Sequence, residues 1–383
     1  MTYFDHAATT PLASEVLEEM MPFLTAAYGN PSSIHSLGQE AKCALDVARD
    51  RVAGLLHAQA REIVFTSGGT EADNLAIRGS LWQNENKGRH LVVSSIEHEA
   101  VLDTAESMRV LGWDVTLLPV DRAAVVQPDA LKDAMRPDTT LVSVMTANNE
   151  VGTIQPIAEL AAIAHEAGAL FHTDAVQAIG AIDVAPNEMG VDLLSLSGHK
   201  LYGPKGIGAL WVRHGMRLAV QMTGGGQERE RRSGTENVAA IVGLGKACEM
   251  AAEGLLNGAP GRLSALRDHL ISGLMSAVPG AVLTGHPSRR LPGSASFLFP
   301  WVEGEAILLN LDFEGFCVSS GSACSAGAIE PSHVLLAMGF SPDDARGALR
   351  LTLGRDNTEA DVDRLLGVLP GIVQRLRDLR PGG

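Results

Sequence analysis

Short apolar runs alternate with helix-like patterns over most of the first 250 residues of the chain. The runs carry apolar side chains on both faces, which is typical of strands buried between two layers of helices. They occupy 62–66, 90–94, 115–119, 141–145, 169–172, 192–196 and 208–212. Amphipathic segments at about 70–79 and 157–167 lie between them. The pattern predicts an α/β domain with a large, mostly parallel sheet of seven strands, covered by helices on both sides.

The pattern changes after the turn-forming segment LNGAP at 256–260. A long helical segment is followed by strand-like runs at 281–283, 296–298 and 349–353. A last helix is predicted over 358–379, so this part is expected to form a smaller α+β domain. We therefore predict a large domain at 13–257, and a small C-terminal domain made of 1–12 and 258–383.

Composition narrows the possible classes of protein. The 383 residues are 45% hydrophobic and 20% charged, which is ordinary for a globular protein. A net charge of −15 disfavours binding to nucleic acid or to an anionic membrane. The chain has no apolar stretch near the ~18–20 residues of a membrane span, and its first residues do not resemble a signal peptide. Its four cysteines show no zinc-like pairs. We expect a cytoplasmic protein with reduced thiols and no metal.

Two polar residues follow neighbouring strands of the predicted sheet. Lys200 closes the segment SGHK after the run at 192–196, and Asp174 follows the run at 169–172. Because parallel strands end at one edge of a sheet, we expect the two side chains to lie close together. A lysine amine can form a Schiff base with pyridoxal 5'-phosphate (PLP), and an aspartate can hold its pyridinium nitrogen protonated. The pair therefore suits a PLP enzyme.

Other polar residues follow strands at the same predicted edge. The turn TSGGTE at 66–71 can bind a phosphate through backbone amides, with Thr70 adding a hydroxyl, but an ordinary capped turn shows the same pattern. His98 can stack on a pyridine ring, or it can cap a helix. Asn149 can bond a cofactor hydroxyl, or it can belong to a plain turn.

The C-terminal part adds a thiol and an arginine. Cys324 lies in the small, glycine-rich segment 319–327, which has little to bury, so we expect a mobile loop with a reactive thiol. Cys317, in a strand-like run, is expected to be an ordinary buried cysteine. Arg350 interrupts an apolar run and needs a partner, for which a substrate carboxylate is suited. The arginine-rich segment 224–237 could serve an anion, a subunit contact or only solvent.

These residues converge on a known family. The chain resembles the cysteine desulfurases of the NifS/IscS type, which belong to the fold-type I PLP enzymes (aminotransferase class V). The motifs that carry the resemblance are DHAATTP (5–11), GNPSSIH (29–35), SGGT (67–70), ANNEVG (147–152), HTDAVQ (172–177), SGHK (197–200), RSGT (232–235) and SGSAC (320–324). The ordered set is highly specific.

The resemblance implies a role for each matching residue. Lys200 would form the Schiff base, Asp174 would hold the pyridinium nitrogen, and His98 would stack on the ring and shuttle protons. The other expected cofactor contacts are Gly69, Thr70, Asn149, Gln177, Ser197, His199 and, reaching the phosphate of the neighbouring subunit, Thr235. The substrate carboxylate is expected at Asn30, Asn149 and Arg350. Cys324 would receive the sulfur.

The implied activity is the conversion of L-cysteine to L-alanine in a homodimer, with a persulfide left on Cys324. The persulfide would pass to sulfur-acceptor proteins such as an iron–sulfur scaffold. Selenocysteine lyase and PLP-dependent aminotransferase activity are the alternatives. An aminotransferase would need Lys200 and Asp174 but has no use for Cys324.

Overall fold

The computed structural model describes residues 1–320 and 331–379 and contains one large sheet and two small ones. The strands are β1 (Thr2–Tyr3), β2 (Ile63–Thr66), β3 (His90–Ser94), β4 (Asp114–Leu118), β5 (Thr139–Ser143), β6 (Leu170–Asp174), β7 (Leu193–Ser197), β8 (Gly208–Val212), β9 (Val282–Leu283), β10 (Ser294–Leu298), β11 (Phe316–Cys317) and β12 (Ala348–Thr352). The large sheet has the order β2-β8-β7-β6-β5-β3-β4. Only β8 is antiparallel to its neighbours there. The predicted α/β fold with a mostly parallel sheet of seven strands is confirmed.

Helices cover both faces of the large sheet. The helices of the described residues are α1 (Ser14–Leu24), α2 (Ser36–Leu55), α3 (Gly69–Gln83), α4 (Glu99–Val110), α5 (Pro128–Ala134), α6 (Ile157–Glu166), α7 (Pro186–Met189), α8 (Gln227–Glu230), α9 (Val238–Leu256), α10 (Ala259–Ala277), α11 (Gly304–Phe313), α12 (His333–Ala337), α13 (Pro342–Ala345) and α14 (Glu359–Asp378). Successive side chains of a strand point to opposite faces. Val92 therefore packs in the core formed with α1, α2, α6 and α9, whereas Leu91 and Val93 pack in the core formed with α3 and α4.

A second apolar core lies around the two small sheets. Strands β9, β10 and β12 form an antiparallel sheet, and β1 pairs in parallel with β11. Phe4, Phe297 and Leu351 are fully buried together with residues of α10 and α14. The N-terminal strand thus packs with the C-terminal part of the chain. The domain bounds 13–257 and 258–383 stay a prediction.

Within the ranges that the structure describes, no helix has the length and apolar character needed to cross a membrane.

A buried ion pair ties the arginine-rich segment 224–237 to the large sheet. The Glu228 carboxylate accepts two hydrogen bonds of 2.7 Å from the guanidinium of Arg49 in α2, and a third of 2.9 Å from the backbone N–H of Phe65 in β2. The backbone at Glu228, Arg229 and Glu230 is left-handed, with φ of 48°, 58° and 63°, so three consecutive strained residues are held in place by this pair.

Removing the charge of Glu228 should destabilise the protein strongly. A Glu228→Gln variant leaves the buried Arg49 guanidinium without its counter-ion, and such losses cost about 3–5 kcal/mol of the free energy of unfolding. Urea unfolding followed by circular dichroism measures the change. The control is Asp46→Asn, which removes the exposed ion pair with Lys42 and should cost about 0.5 kcal/mol or less. Equal unfolding midpoints for the two variants would contradict this interpretation.

Candidate active site

The polar residues that follow the parallel strands meet at one edge of the large sheet. Asp174 is the last residue of β6, and Lys200 follows β7 after one turn of 3₁₀ helix at Gly198–Lys200. These strands are direct neighbours. The side chains also interact, because Lys200 and His98 both act to lower the pKa of the Asp174 carboxyl. The structure therefore brings together the three residues that were predicted to surround a cofactor ring.

Lys200 lies beneath an N-terminal segment that crosses the site. Its Nζ donates to the carbonyl oxygens of Ala7 and Ala8, at 2.5 and 2.7 Å. The side-chain amide of Gln177 also donates to the Ala7 carbonyl, at 2.9 Å. Residues of the predicted motif 5–11 thus close one side of the site and hold Lys200 and Gln177 next to each other.

Asp174 is fully buried, and burial raises the pKa of its carboxyl. Its Oδ1 accepts a hydrogen bond of 2.8 Å from the backbone N–H of Val176, which favours the ionised form and opposes part of that shift. His98 and Lys200 add to the opposition. Asp174 is therefore a buried acid whose negative charge these neighbours stabilise.

His98 is the N-cap residue of α4, and one nitrogen of its ring faces the backbone of this helix. Its Nδ1 accepts a hydrogen bond of 3.0 Å from the N–H of Ala100. An accepting Nδ1 places the proton of the neutral imidazole on Nε2. The cap predicted as the alternative role of His98 is therefore real, and the ring still lies within reach of the Asp174 charge.

In the turn between β2 and α3, the backbone at Gly69 lies close to the side chain of Val176. A side-chain carbon at Gly69 would lie 2.8 Å from Cγ2 of Val176, so a larger residue here would require the Val176 side chain to move. The turn opens α3, a helix of 15 residues, whose first amides point to the same edge of the sheet. Thr70 is exposed there, and Ser197 is buried at the end of β7. The arrangement fits an anion such as a phosphate.

His199 lies beside Lys200 and is held as a neutral ring. Burial, together with the charges of Lys200 and Lys205, lowers its pKa to about 4. Its Nδ1 lies 3.1 Å from Oγ1 of Thr9. A neutral imidazole can donate one hydrogen bond without adding charge.

Arg350 lies in β12 of the three-stranded sheet, and its side chain contacts residues of the site. Its guanidinium donates to Asp5 Oδ1 at 2.9 Å and to the carbonyl oxygen of Asn149 at 3.1 Å. Its side chain is only 4% exposed, and within the described ranges Nε has no hydrogen-bond partner. A buried donor without a partner costs free energy, so the guanidinium can accept a further anion.

A cavity of about 230 Å³ opens between these elements. Lys200, Gln177 and Asn149 line its polar part, while Ile179 and Leu291 are among its apolar residues. Small apolar cavities with a few convergent polar groups are typical of sites for small molecules.

Two predicted site residues, Asn30 and Thr235, are exposed, and a third lies outside the described ranges. The Asn30 side chain accepts a hydrogen bond from the backbone N–H of Ser32. Cys324 lies in 321–330, outside the described residues. The sequence interpretation also missed Asp5 and Glu97, because an acid near a chain terminus or in a turn looks like an ordinary surface residue.

The residues of this edge fit PLP on the chemistry that they offer. The donor set contains an amine at Lys200, a buried acid at Asp174, and a glycine turn at a helix N-terminus. Such groups match the aldehyde, the pyridine nitrogen and the phosphate of that cofactor. The unpartnered Nε of Arg350 adds a place for a carboxylate.

The fold and the site define a member of the aminotransferase class-V family, whose model matches residues 2–365. The chain belongs to this family of PLP-dependent enzymes. Cysteine desulfurase IscS from Methanosarcina thermophila is 50% identical over 379 residues, covering 99% of this chain and 93% of the relative. Cysteine desulfurase IscS 1 from Archaeoglobus fulgidus is 47% identical over 381 residues, covering 100% and 99%.

Two solved structures are also similar to this chain. A NifS-like protein has a TM-score of 0.91 and 40% sequence identity, covering 98% of this chain and 100% of that one. A structure described as SspA in complex with cysteine has a TM-score of 0.81 and 36% identity, covering 92% and 99%. Within the class-V family the chain therefore belongs with the cysteine desulfurases, and the predicted resemblance to the NifS/IscS type and to fold-type I enzymes is confirmed.

Glu97 should make stability depend on pH. It is fully buried beside His98, and burial raises its pKa to about 8. In the unfolded chain the carboxyl ionises near pH 4.5, so the folded state holds a proton that the unfolded state has lost, and stability falls as pH rises between these values. A Glu97→Gln variant keeps the acceptor for Ser94 Oγ and the backbone N–H of Met145 but has no proton to lose.

Relative to the parent protein, Glu97→Gln should therefore gain about 1.4 kcal/mol of unfolding free energy for each pH unit between about 5 and 7.5. Urea titrations at three pH values in that window measure the difference. Exposed Glu99 supplies the control variant, Glu99→Gln, for which the difference should stay flat. A flat difference for Glu97→Gln as well would show that this carboxyl is ionised in the folded protein.

Proposed function

We propose that this protein is a PLP-dependent cysteine desulfurase, which converts L-cysteine to L-alanine and captures the sulfur as a persulfide on Cys324. The observation that carries the proposal is that Lys200, which lines the cavity, acts on the buried Asp174 carboxyl, while Arg350 donates to the backbone of Asn149, a second lining residue. Full-length relatives at about half identity bear the name cysteine desulfurase.

The cofactor would be held by the residues of the sheet edge. Lys200 would bond its aldehyde, Asp174 would pair with its ring nitrogen and His98 would stack on its face. The remaining contacts would come from Gly69, Thr70, Asn149, Gln177, Ser197 and His199, with Thr235 reaching the phosphate in the neighbouring subunit. Bound PLP supplies an electrophile for the substrate amine and a ring that withdraws electrons from it.

Arg350 would bind the substrate carboxylate, with Asn149 and Asn30 alongside. The guanidinium already has Asp5 and the Asn149 carbonyl as partners, and its buried Nε remains for a new acceptor. Charge-assisted hydrogen bonds of this kind are about twice as strong as neutral ones, and they orient the ligand. L-cysteine would thus be fixed by its carboxylate at one end of the cavity, with its amine towards Lys200.

Protons would be handled by Lys200 and His98. The Lys200 amine, once displaced by the substrate amine, would remove the proton from the α-carbon and return one to the substrate. His98 Nε2 would serve the substrate thiol, since its Nδ1 is engaged with Ala100. Both groups act on the Asp174 carboxyl.

Cys324 would complete the reaction as the nucleophile. Its thiolate would attack the sulfur of the substrate, so that a sulfur–sulfur bond forms while the carbon–sulfur bond breaks. The carbon takes up the electron pair and a proton, and the products are L-alanine and the Cys324 persulfide. No external oxidant or reductant is needed for this half of the cycle.

A homodimer would complete each site. Thr235 is exposed on the segment that the Arg49–Glu228 pair anchors, which suits a contact with a second subunit. Leu17, Met21 and Leu24 of α1 are between 43% and 58% exposed and offer apolar surface for it. We place the enzyme in the cytoplasm, where it would pass sulfur to acceptor proteins such as an iron–sulfur scaffold.

The first test is product stoichiometry. PLP-loaded protein given L-cysteine and a thiol reductant should release alanine and sulfide in equal amounts, and Cys324→Ser should release neither while keeping the cofactor spectrum. Cys43→Ser, at an exposed cysteine, is the matched control and should keep full activity. Sustained alanine release from Cys324→Ser would refute its role. Alanine that appears only when a keto acid is added would favour an aminotransferase, and a strong preference for selenocysteine would favour the lyase.

Changing Arg350 to lysine should weaken substrate binding. A lysine keeps the charge but loses the planar fork, so KM for L-cysteine should rise by about ten- to a hundredfold, which corresponds to about 1.5–3 kcal/mol for a charged hydrogen bond. Steady-state kinetics measure KM, and PLP absorbance shows that the cofactor site is intact. Arg346→Lys, at an exposed ion pair with Asp343, is the control. An unchanged KM for Arg350→Lys would move the carboxylate site elsewhere.

A further inference from the structure

A row of polar side chains lies inside the large sheet, behind Asp174. Ser143 of β5, His172 of β6 and Ser195 of β7 are fully buried on three adjacent strands. The His172 ring lies between the two serines, with Nδ1 2.8 Å from Ser143 Oγ and Nε2 3.0 Å from Ser195 Oγ. His172 is two residues before Asp174, so both side chains point to the same face of the sheet.

Helix α3 adds a second acid to this row. Asp73, one turn into the helix, is 1% exposed, and its Oδ1 lies 3.6 Å from His172 Nε2. This oxygen has no hydrogen-bond partner within the described ranges, whereas Ser195 donates to the carboxyl. A buried carboxylate would need more donors than this.

The charges around Asp73 are unfavourable for a second anion. The ionisable groups that act on it are Asp174 and Glu97, both acids, and burial and the Asp174 charge raise the pKa of Asp73 well above its usual range. The nearby imidazole supplies no charge, because burial lowers the pKa of His172 to about 3. Asp174 differs from Asp73 in having Lys200 and His98 to stabilise its negative charge.

We propose that Asp73 is a neutral carboxylic acid, held by the Ser143–His172–Ser195 row, so that the negative charge of this buried group of acids resides on Asp174. The proposal rests on the proposed function in one respect, since Asp174 is there the partner of the PLP ring nitrogen. Asp73 acts through Asp174 and contacts neither cofactor nor substrate, which makes it a positioning residue.

A neutral Asp73 serves the site in two ways. When two carboxyl groups are buried near each other, their negative charges repel, and one of the two groups binds a proton. If that proton were on Asp174, the ring nitrogen would lose its anionic partner. In addition, Ser195 can donate to the carbonyl oxygen of a protonated Asp73 while accepting from His172 Nε2–H, which fixes the tautomer of His172 and the position of the strand end at Asp174.

Infrared spectroscopy tests the protonation state directly. The PLP-loaded protein at pH 7 should show the carbonyl stretch of buried protonated carboxyl groups, and Asp73→Asn should remove one component. Glu97→Gln should remove a different component, while Asp103→Asn, at an exposed position of α4, should remove none. A spectrum unchanged in Asp73→Asn would show that Asp73 is ionised and would overturn the proposal.

Cofactor affinity supplies the second readout. Asparagine imitates a neutral acid, so Asp73→Asn should bind PLP within about threefold of the parent protein, whereas Asp174→Asn should bind it about ten- to a hundredfold more weakly, as expected for loss of a charge-assisted hydrogen bond. Asp73→Ala, which removes the contact with Ser195, should lose affinity that Asp73→Asn retains. An Asp73→Asn protein as weak as Asp174→Asn would overturn the proposal, as would an Asp73→Ala protein that binds normally.

Neither readout uses L-cysteine. Failure of the desulfurase proposal would appear as absent alanine release in protein whose infrared spectrum and PLP affinity behave as described, so the two failures are distinguishable.

Discussion

The site depends on one constraint. The parallel strands of a sheet end at the same edge, so their last residues lie close together. Strands β6 and β7 are neighbours in register, so Asp174 at the end of one and the turn to Lys200 at the end of the other must meet. Strands β5 and β7 are buried along their whole length, and polar side chains such as Ser143, His172 and Ser195 pair with one another inside the sheet. Side chains that can reach a ligand therefore lie at the edge where the backbone leaves the sheet, and the cavity lies at this edge.

A second constraint comes from the N-terminal segment, which joins the two apolar cores. Phe4 packs with the small sheets, and its carbonyl accepts a hydrogen bond of 2.7 Å from the N–H of Thr352. Three residues on, Ala7 donates to Thr352 Oγ1 and accepts from Lys200 Nζ. A few residues thus connect β12, which carries Arg350, with the turn that carries Lys200. The relative position of Arg350 and Lys200 depends on this connection.

The large sheet and the Lys200–Asp174 pair could be predicted from sequence because both arise from local patterns. Apolar runs of four or five residues define the strands, and a polar residue after such a run lies at the strand end. Asp73 could not be predicted, because an acid in an amphipathic helix such as α3 usually faces solvent. The Asp5–Arg350 pair joins residues 345 positions apart, and no local pattern indicates such a contact. Motif resemblance supplied the roles of Asn30 and Thr235, which single-chain geometry does not test.

Neutral and charged groups of the site lie in different places, with neutral groups in the sheet interior and cationic groups nearer the cavity. On the side of the sheet interior, Glu97 and Asp73 are buried acids whose pKa values burial raises, and His172 is a ring whose pKa burial lowers, so these groups favour their neutral forms. On the side of the cavity, Lys200 and Arg350 contact carbonyl oxygens and Asp5. Among the groups that act on the Asp174 carboxyl, Lys200 and His98 favour its negative charge. An incoming amino acid carries a carboxylate and an amine. In the proposed function the carboxylate would bind Arg350 and the amine would meet Lys200, so the separate positions of these two residues would orient the ligand.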